Sequence, residues 1–196
     1  VEKVPIIQGS TLRFPVRWGT TPIVYKPITG VVLSAPLRFT VVGHGLPDGW
    51  RVEVVSVRGS TTLNSSGKGK PTDYHLATVV DADTVELNDV NLDDLSPYEG
   101  GGYLKFSTPV NLAGYDARMK FKDRVGGVEL FSLSSEVGGG LTIDVDNFVT
   151  LVELSALQTK MITLRKVVAD LEMVKGTDVD NIVTISFPVQ KEITTG

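Results

Sequence analysis

Tyr115-Asp116-Ala117-Arg118-Met119-Lys120-Phe121-Lys122 alternates apolar and charged side chains without a break. Successive side chains of an extended chain point to opposite faces, so this stretch reads as a half-buried β-strand with Tyr115, Ala117, Met119 and Phe121 inward. The same period recurs on either side of it. Leu12, Phe14, Val16 and Trp18 alternate with Thr11, Arg13, Pro15 and Arg17. Pro15 has no N–H to give a ladder, which predicts an edge strand or a bulge. Val167, Ala169, Leu171 and Met173 alternate with Lys166, Asp170 and Glu172, interrupted by Val168, and Val183, Ile185, Phe187 and Val189 alternate with Thr184, Ser186 and Gln190. The polar run Lys175 to Asn181 between them predicts a long C-terminal hairpin. Helix signals are scarce; one short helix is predicted, capped by Ser155 and ending at Met161.

Composition agrees with an all-β chain. Twenty glycines and ten prolines cut the 196 residues into short segments, the spacing of a sandwich or barrel. The chain has no cysteine, which removes disulfide frameworks, thiolate nucleophiles and cysteine-based metal sites together. A net charge of −4 supplies no field for nucleic acid or an anionic membrane, and neither is expected as a partner. Between Val31 and Thr108 the texture changes to Val-Val pairs and Asp-Asn-Gly turns. Short apolar strands are predicted there at Leu37 to Val42, Val52 to Val57, His75 to Val80, Thr84 to Leu87 and Tyr103 to Phe106, enough to close a small barrel. Ser65 to Pro71 reads as a flexible, solvated loop tip, since no strand-to-helix context follows it to cradle a phosphate.

The residues able to carry chemistry are few. His44 sits among turn-forming glycines in Val42-Gly43-His44-Gly45-Leu46-Pro47-Asp48-Gly49 and is expected to bond its own turn. His75 opens a strand. Neither belongs to a metalloprotease, nucleophile-elbow or phosphate-loop pattern. Acidic runs occur at Asp81-Ala82-Asp83, Asp93-Asp94, Asp144-Val145-Asp146-Asn147 and Asp178-Val179-Asp180-Asn181; the last two resemble the opening of a calcium loop but lack its mid-loop glycine and closing glutamate, and such runs read as turns. The sequence therefore assigns no catalytic, cofactor-binding or metal-binding residue and predicts a non-enzymatic protein.

Candidate interface residues are Val4, Ile6, Ile7, Arg13, Arg17 and Trp50. The terminal segments 1–8 and 191–196 read as too short to pack a core, so apolar Val4, Ile6 and Ile7 suggest docking on a neighbour in a homo-oligomer. Arg13 and Arg17 flank Pro15 on one polar face, and Arg118, Lys120 and Lys122 line another; an acidic neighbour is the alternative to plain solvation. Trp18 and Trp50 suit either core or interface. A carbohydrate platform would draw on Trp50, Tyr74 and Tyr98.

An ordered set of motifs runs through the chain: "QGSTLRFPVRW" (8–18), "TPVNLAGYDARMKF" (108–121), "GGVELFSLSSEVGGGLTI" (126–143), "VTLVELSALQTKMI" (149–162) and "KVVADLEMV" (166–174). In this order they resemble tailed-bacteriophage tail, baseplate and fibre-base proteins. The middle, "VVGHGLPDGWRVEVVSVRG" (41–59) with "LATVVDADTVELNDVN" (76–91), resembles small β modules inserted in phage tail proteins. The resemblance implies a β-sandwich, Greek-key, Ig-like or jelly-roll-like, formed by residues 1–30 and 105–196, with a small β-barrel inserted at 31–104. It implies a structural virion protein of the tail tip, baseplate or fibre attachment region, assembled in the host cytoplasm and partnered by other tail proteins. A host-surface carbohydrate-binding module and a head or neck decoration protein are the alternatives.

Overall fold

The computed structural model describes residues 4–93 and 95–192, and within them the chain is all-β. Two compact units form, one from Val1–Trp18 with Asn111–Gly196 and the other from Gly19–Val110.

The first unit contains two sheets. One has the order β1-β15-β14-β10-β11, from Ile6–Ile7 (β1), Asp116–Lys122 (β10), Glu129–Ser134 (β11), Lys166–Lys175 (β14) and Asp178–Gln190 (β15). The other has the order β12-β13-β2, from Leu12–Val16 (β2), Leu141–Asp144 (β12) and Val149–Leu154 (β13). Period-2 alternation builds the core between them, as expected. Ala117, Met119 and Phe121 of β10 are buried, as are Val167, Ala169, Leu171 and Met173 of β14 and Ile185 and Phe187 of β15. Leu141, Val152 and Leu154 close the core from the second sheet. Phe187 lies at its centre, 5.7 Å from the Phe14 ring and 5.5 Å from Phe121, which stacks on Phe131 at 4.5 Å. Truncating a buried aromatic of this kind to alanine costs about 3–5 kcal/mol.

The expected hairpin is present. β14 and β15 pair from Lys166↔Pro188 to Lys175↔Asp178, turning at Gly176-Thr177, where Gly176 takes the left-handed φ of +64°. The strand begins at Asp178, so the polar run 178–181 pairs rather than turns. β2 is an edge strand, which accommodates Pro15. The short helix α1, Ala156–Met161, is capped by Ser155. The Ser155 hydroxyl accepts the Gln158 N–H, and the Gln158 side chain accepts the Ser155 N–H at 2.8 Å.

The N-terminal segment corrects an expectation. Ile6 is fully buried in this unit's own core and Val4 packs against it. Two residues cannot make a core, but β1 adds in parallel to β15, with Ile6 opposite Val189 and Ile7 opposite Gln190. The Gln8 N–H extends the pairing to the Gln190 carbonyl at 2.9 Å, and the Gln8 side chain donates to the Ile162 carbonyl. Of Val4, Ile6 and Ile7, alternation leaves only Ile7 exposed. Residues 1–3 and 193–196 of the two terminal segments lie outside the described residues.

The second unit is one seven-stranded sheet, β3-β9-β6-β7-β8-β5-β4, from Gly19–Pro27 (β3), Gly30–Val32 (β4), Leu37–Thr40 (β5), Trp50–Val55 (β6), His75–Val79 (β7), Thr84–Leu87 (β8) and Tyr103–Pro109 (β9). Its end strands adjoin in sequence: the Ile28 N–H bonds the Gly102 carbonyl and the Thr29 N–H bonds the Thr40 carbonyl, both at 2.9 Å. The chain thus passes from one end strand of the sheet to the other at Ile28-Thr29. The expected boundaries at 30/31 and 104/105 fall inside strands of this sheet. β3 pairs along its length with β9, from Gly19↔Pro109 to Pro27↔Tyr103, so the unit begins at 19 and ends at 110. The bulge between Thr20 and Ile23 hides this strand from a period-2 reading.

Candidate functional site

Trp50 is buried in the second unit's core with Val52, Val54 and Leu104, and its indole N–H donates to the Ser107 carbonyl at 3.0 Å. It is a core residue, not an interface one. A tryptophan buried with its single donor satisfied has no group left to offer a partner. Tyr98 is likewise committed, its hydroxyl meeting the Ile28 and Gly101 carbonyls at 3.0 and 2.9 Å.

Most of the charged candidates find partners inside their own sheet. Arg13 forms a two-point pair with Glu153, at 2.8 and 3.0 Å, directly across the β2–β13 ladder. Hydrogen bonding from Arg13 holds the Glu153 carboxyl below its ordinary range and raises the Arg13 guanidinium in return. Arg118 pairs with Glu172 at 2.5 Å across β10–β14, and Lys120 reaches Glu129 at 3.7 Å. For Arg13, Arg118 and Lys120 the acidic neighbour is intramolecular. Arg17 follows β2 and is half-buried.

Neither histidine is set up as a free base. His44 is buried; its Nδ1 accepts the Leu46 N–H at 3.0 Å and its Nε2 meets the Asp81 carbonyl at 2.8 Å. A carbonyl can only accept, so Nε2 carries the proton and both nitrogens are consumed by backbone. Gly43 and Gly45, at φ +57° and +65°, let the chain wrap the ring. His75 Nδ1 pairs with Asp89 at 2.9 Å near the surface.

Two of the acidic runs, 81–83 and 144–147, make turns, the run 178–181 lies in β15, and the run 93–94 falls partly outside the described residues. Asp81 accepts the Asp83 N–H, and this bond leads the lowering of its carboxyl. Asp144 accepts the Asn147 side-chain amide at 2.8 Å and its N–H at 3.0 Å, and these bonds, the side-chain one first, lower its carboxyl likewise. No group of three or more metal-ligating side chains occurs among the described residues, and no described helix is long and apolar enough to cross a membrane. The loop 65–71 is less loose than its sequence suggests. The buried Asp73 carboxylate accepts the Ser66 N–H at 2.7 Å, the Ser66 hydroxyl and the Lys70 N–H, both at 2.9 Å. These bonds, the Ser66 N–H first, hold it below the usual carboxylate range. The amides that would cradle a phosphate already hold an anion of the chain itself.

An open depression of about 620 Å³ in the first unit is lined by Tyr115, Asp116, Ser135, Glu136, Glu153 and Gln158, among others. Ser135 bonds the Ala117 N–H, Glu153 holds Arg13 and Gln158 caps α1, so these polar groups serve the fold.

What remains unspent is apolar surface, and sequence reasoning missed where it lies. On α1, Leu157 and Met161 are one turn apart and 70% and 71% exposed, with Leu164 exposed just beyond. The buried side chain of this helix is instead Thr159, whose hydroxyl donates to the Ser10 carbonyl at 2.9 Å. At the β10–β11 turn, Asp123 accepts the Arg124 and Val128 N–H groups and fixes a tip from which Val125 and Val128 project. In the second unit Ile23, Tyr25, Tyr103 and Leu76 are exposed.

No protein-family model matches the chain, and no curated protein sequence matches it.

Proposed function

We propose that the protein is a structural, non-enzymatic component of a bacteriophage virion, at the tail tip, baseplate or fibre attachment region, acting by docking onto neighbouring tail proteins. The observation that carries this reading is the reversed helix α1. Its one fully buried side chain is a threonine, while Leu157 and Met161 stand in solvent on a helix fixed by a capping box. An apolar pair held rigid on an exposed helix has little value to a lone monomer and suits a protein interface. The motif resemblance supplies the virion context. The engagement of both His44 ring nitrogens and of the Asp73, Asp81 and Asp144 carboxylates by backbone groups supports a scaffold rather than a catalyst.

The test is incorporation. Mass spectrometry of purified phage particles should find the protein, and disrupted particles should retain it with the tail fraction; retention with the head fraction favours the decoration alternative. Leu157→Asp with Met161→Asp should leave the free protein folded, because both side chains are exposed, yet exclude it from particles. Normal incorporation of the folded double variant refutes docking through α1.

A further inference from the structure

The face of the second unit's sheet opposite Trp50, Val52 and Val54 exposes Tyr25 and Tyr103, with Lys105 half-buried between them over a buried Glu53. Ladder register places Tyr25, Lys105 and Glu53 side by side on β3, β9 and β6, with Pro27, Tyr103 and Val55 in the next row of the same face. Neighbouring strands lie about 4.8 Å apart, so the two rows form one continuous patch. Tyr25 and Tyr103 meet edge to face at 6.2 Å and are 53% and 42% exposed. Arg51, two residues before Glu53 and therefore on the same face, lies over the Tyr74 ring at 5.0 Å.

We propose that this face is a carbohydrate-binding site, taking an uncharged, hydroxyl-rich segment of a polysaccharide against Tyr25 and Tyr103 with its hydroxyls on Lys105 and Arg51. Rigid tyrosine rings offer apolar contact to the C–H face of a pyranose and a hydroxyl at each rim, at low cost in side-chain entropy. The centre of the patch argues against a protein partner, because protein interface cores are depleted in lysine and glutamate. Here Lys105 and Glu53 pair at 2.7 Å in the middle of it. The second Glu53 oxygen is fixed by the Ser65 hydroxyl, also at 2.7 Å. The Lys105 ammonium keeps N–H donors beyond the one it gives Glu53, so a sugar hydroxyl can accept from it without breaking the pair. Of the three aromatics the sequence suggested for sugar contact, only Tyr74 belongs to this face; Trp50 and Tyr98 are engaged elsewhere. The proposal does not depend on docking through α1, which lies in the other unit.

The test uses the full chain on a printed array of bacterial surface polysaccharides, followed by NMR titration of the tyrosine ring signals with cellohexaose, laminarihexaose, maltohexaose and chitohexaose. The expected result is array binding, or saturable shifts of the Tyr25 and Tyr103 rings with at least one hexasaccharide. Tyr25→Ala or Tyr103→Ala should weaken binding about tenfold each, equivalent to one aromatic contact, with unchanged thermal midpoints. Tyr25→Phe should keep most of the affinity. Absence of both array signal and ring shifts overturns the proposal. So does binding that survives the folded double alanine variant, or cross-linking of Tyr25 to another polypeptide in intact particles.

Discussion

Excising the second unit should leave the first one folded, and the thermodynamics of the junction set how much. Gly19 and Pro109 are ladder partners, so this unit's two ends emerge side by side. When folded, it holds those ends together for its host. When unfolded, the host must close a loop of 92 residues, Gly19–Val110. The entropic cost of closure grows as (3/2)RT ln n, so exchanging that loop for a five-residue linker stabilises the first unit by about 2.6 kcal/mol. Two proteins expose the difference: one joins Trp18 to Asn111 through Gly-Ser-Gly-Ser-Gly, and the other carries Leu104→Asp in the full chain. Leu104 is fully buried, and an unpaired carboxylate there should unfold the second unit. Urea denaturation followed by near-ultraviolet dichroism reads the first unit in both. With a slope of about 1–3 kcal/mol/M, the excised protein should unfold about 0.9–2.6 M later than the Leu104→Asp chain. A non-cooperative transition in the excised protein, or a midpoint at or below that of Leu104→Asp, refutes the division at 18/19 and 110/111.

Two further outcomes follow from the polar clusters. The Asp73 carboxyl is depressed in the folded protein, so its grip on the loop is complete above the ordinary carboxylate midpoint of about 3.9 and is lost as pH falls through the lower folded value. Amide exchange at Ser66 and Lys70 should therefore stay slow at pH 4 and quicken only in stronger acid; quickening at the ordinary midpoint refutes the clasp. His44→Ala strips partners from the Leu46 N–H and the Asp81 carbonyl and should cost about 1–3 kcal/mol in chemical denaturation without affecting any activity of the folded protein; loss of a hydrolytic activity in folded His44→Ala protein would mean the ring is catalytic.

The parts of the fold legible in the sequence are those where one local rule acts alone. Alternation in 115–122 and 166–175, the Ser155 cap and the ladder-incompetent Pro15 each point to a structure within a few residues of themselves. What was hidden depends on partners far along the chain. β1 is two residues long, and only β15, more than 180 positions later, makes it a strand and turns Ile6 inward. β3 contains Pro22, Pro27 and a bulge, so its pairing with β9, and with it the domain boundary, left no periodic trace. On α1 the Leu157–Met161 spacing would ordinarily mark the buried face; the bond from Thr159 to the Ser10 carbonyl reverses it. The tyrosine face was hidden for the same reason: Tyr25 lies in bulged β3, and joining it to Tyr103 and Lys105 required the register.

Register itself is specified twice, and β10 with β14 shows how. On the inner face, small residues meet large ones: Ala117 lies opposite Met173, and Ala169 opposite Phe121, with Met119 and Leu171 between. Sliding the strands by two residues in one sense sets Phe121 against Leu171 and Met119 against Met173, overfilling a core whose side chains are already buried. On the outer face the native register sets Arg118 against Glu172 and Lys120 against Asp170. The opposite slide by two places Asp116 against Glu172, like charges directly across a ladder. A slide by one exchanges the two faces altogether. The same outer device recurs at Arg13–Glu153, Arg38–Glu86 and Lys105–Glu53, each pair lying directly opposite in its ladder. Exposed ion pairs contribute little to net stability, commonly about 0–1 kcal/mol. Their value in a chain of many short, similar strands is discriminatory: each raises the energy of a wrong pairing more than it lowers that of the right one.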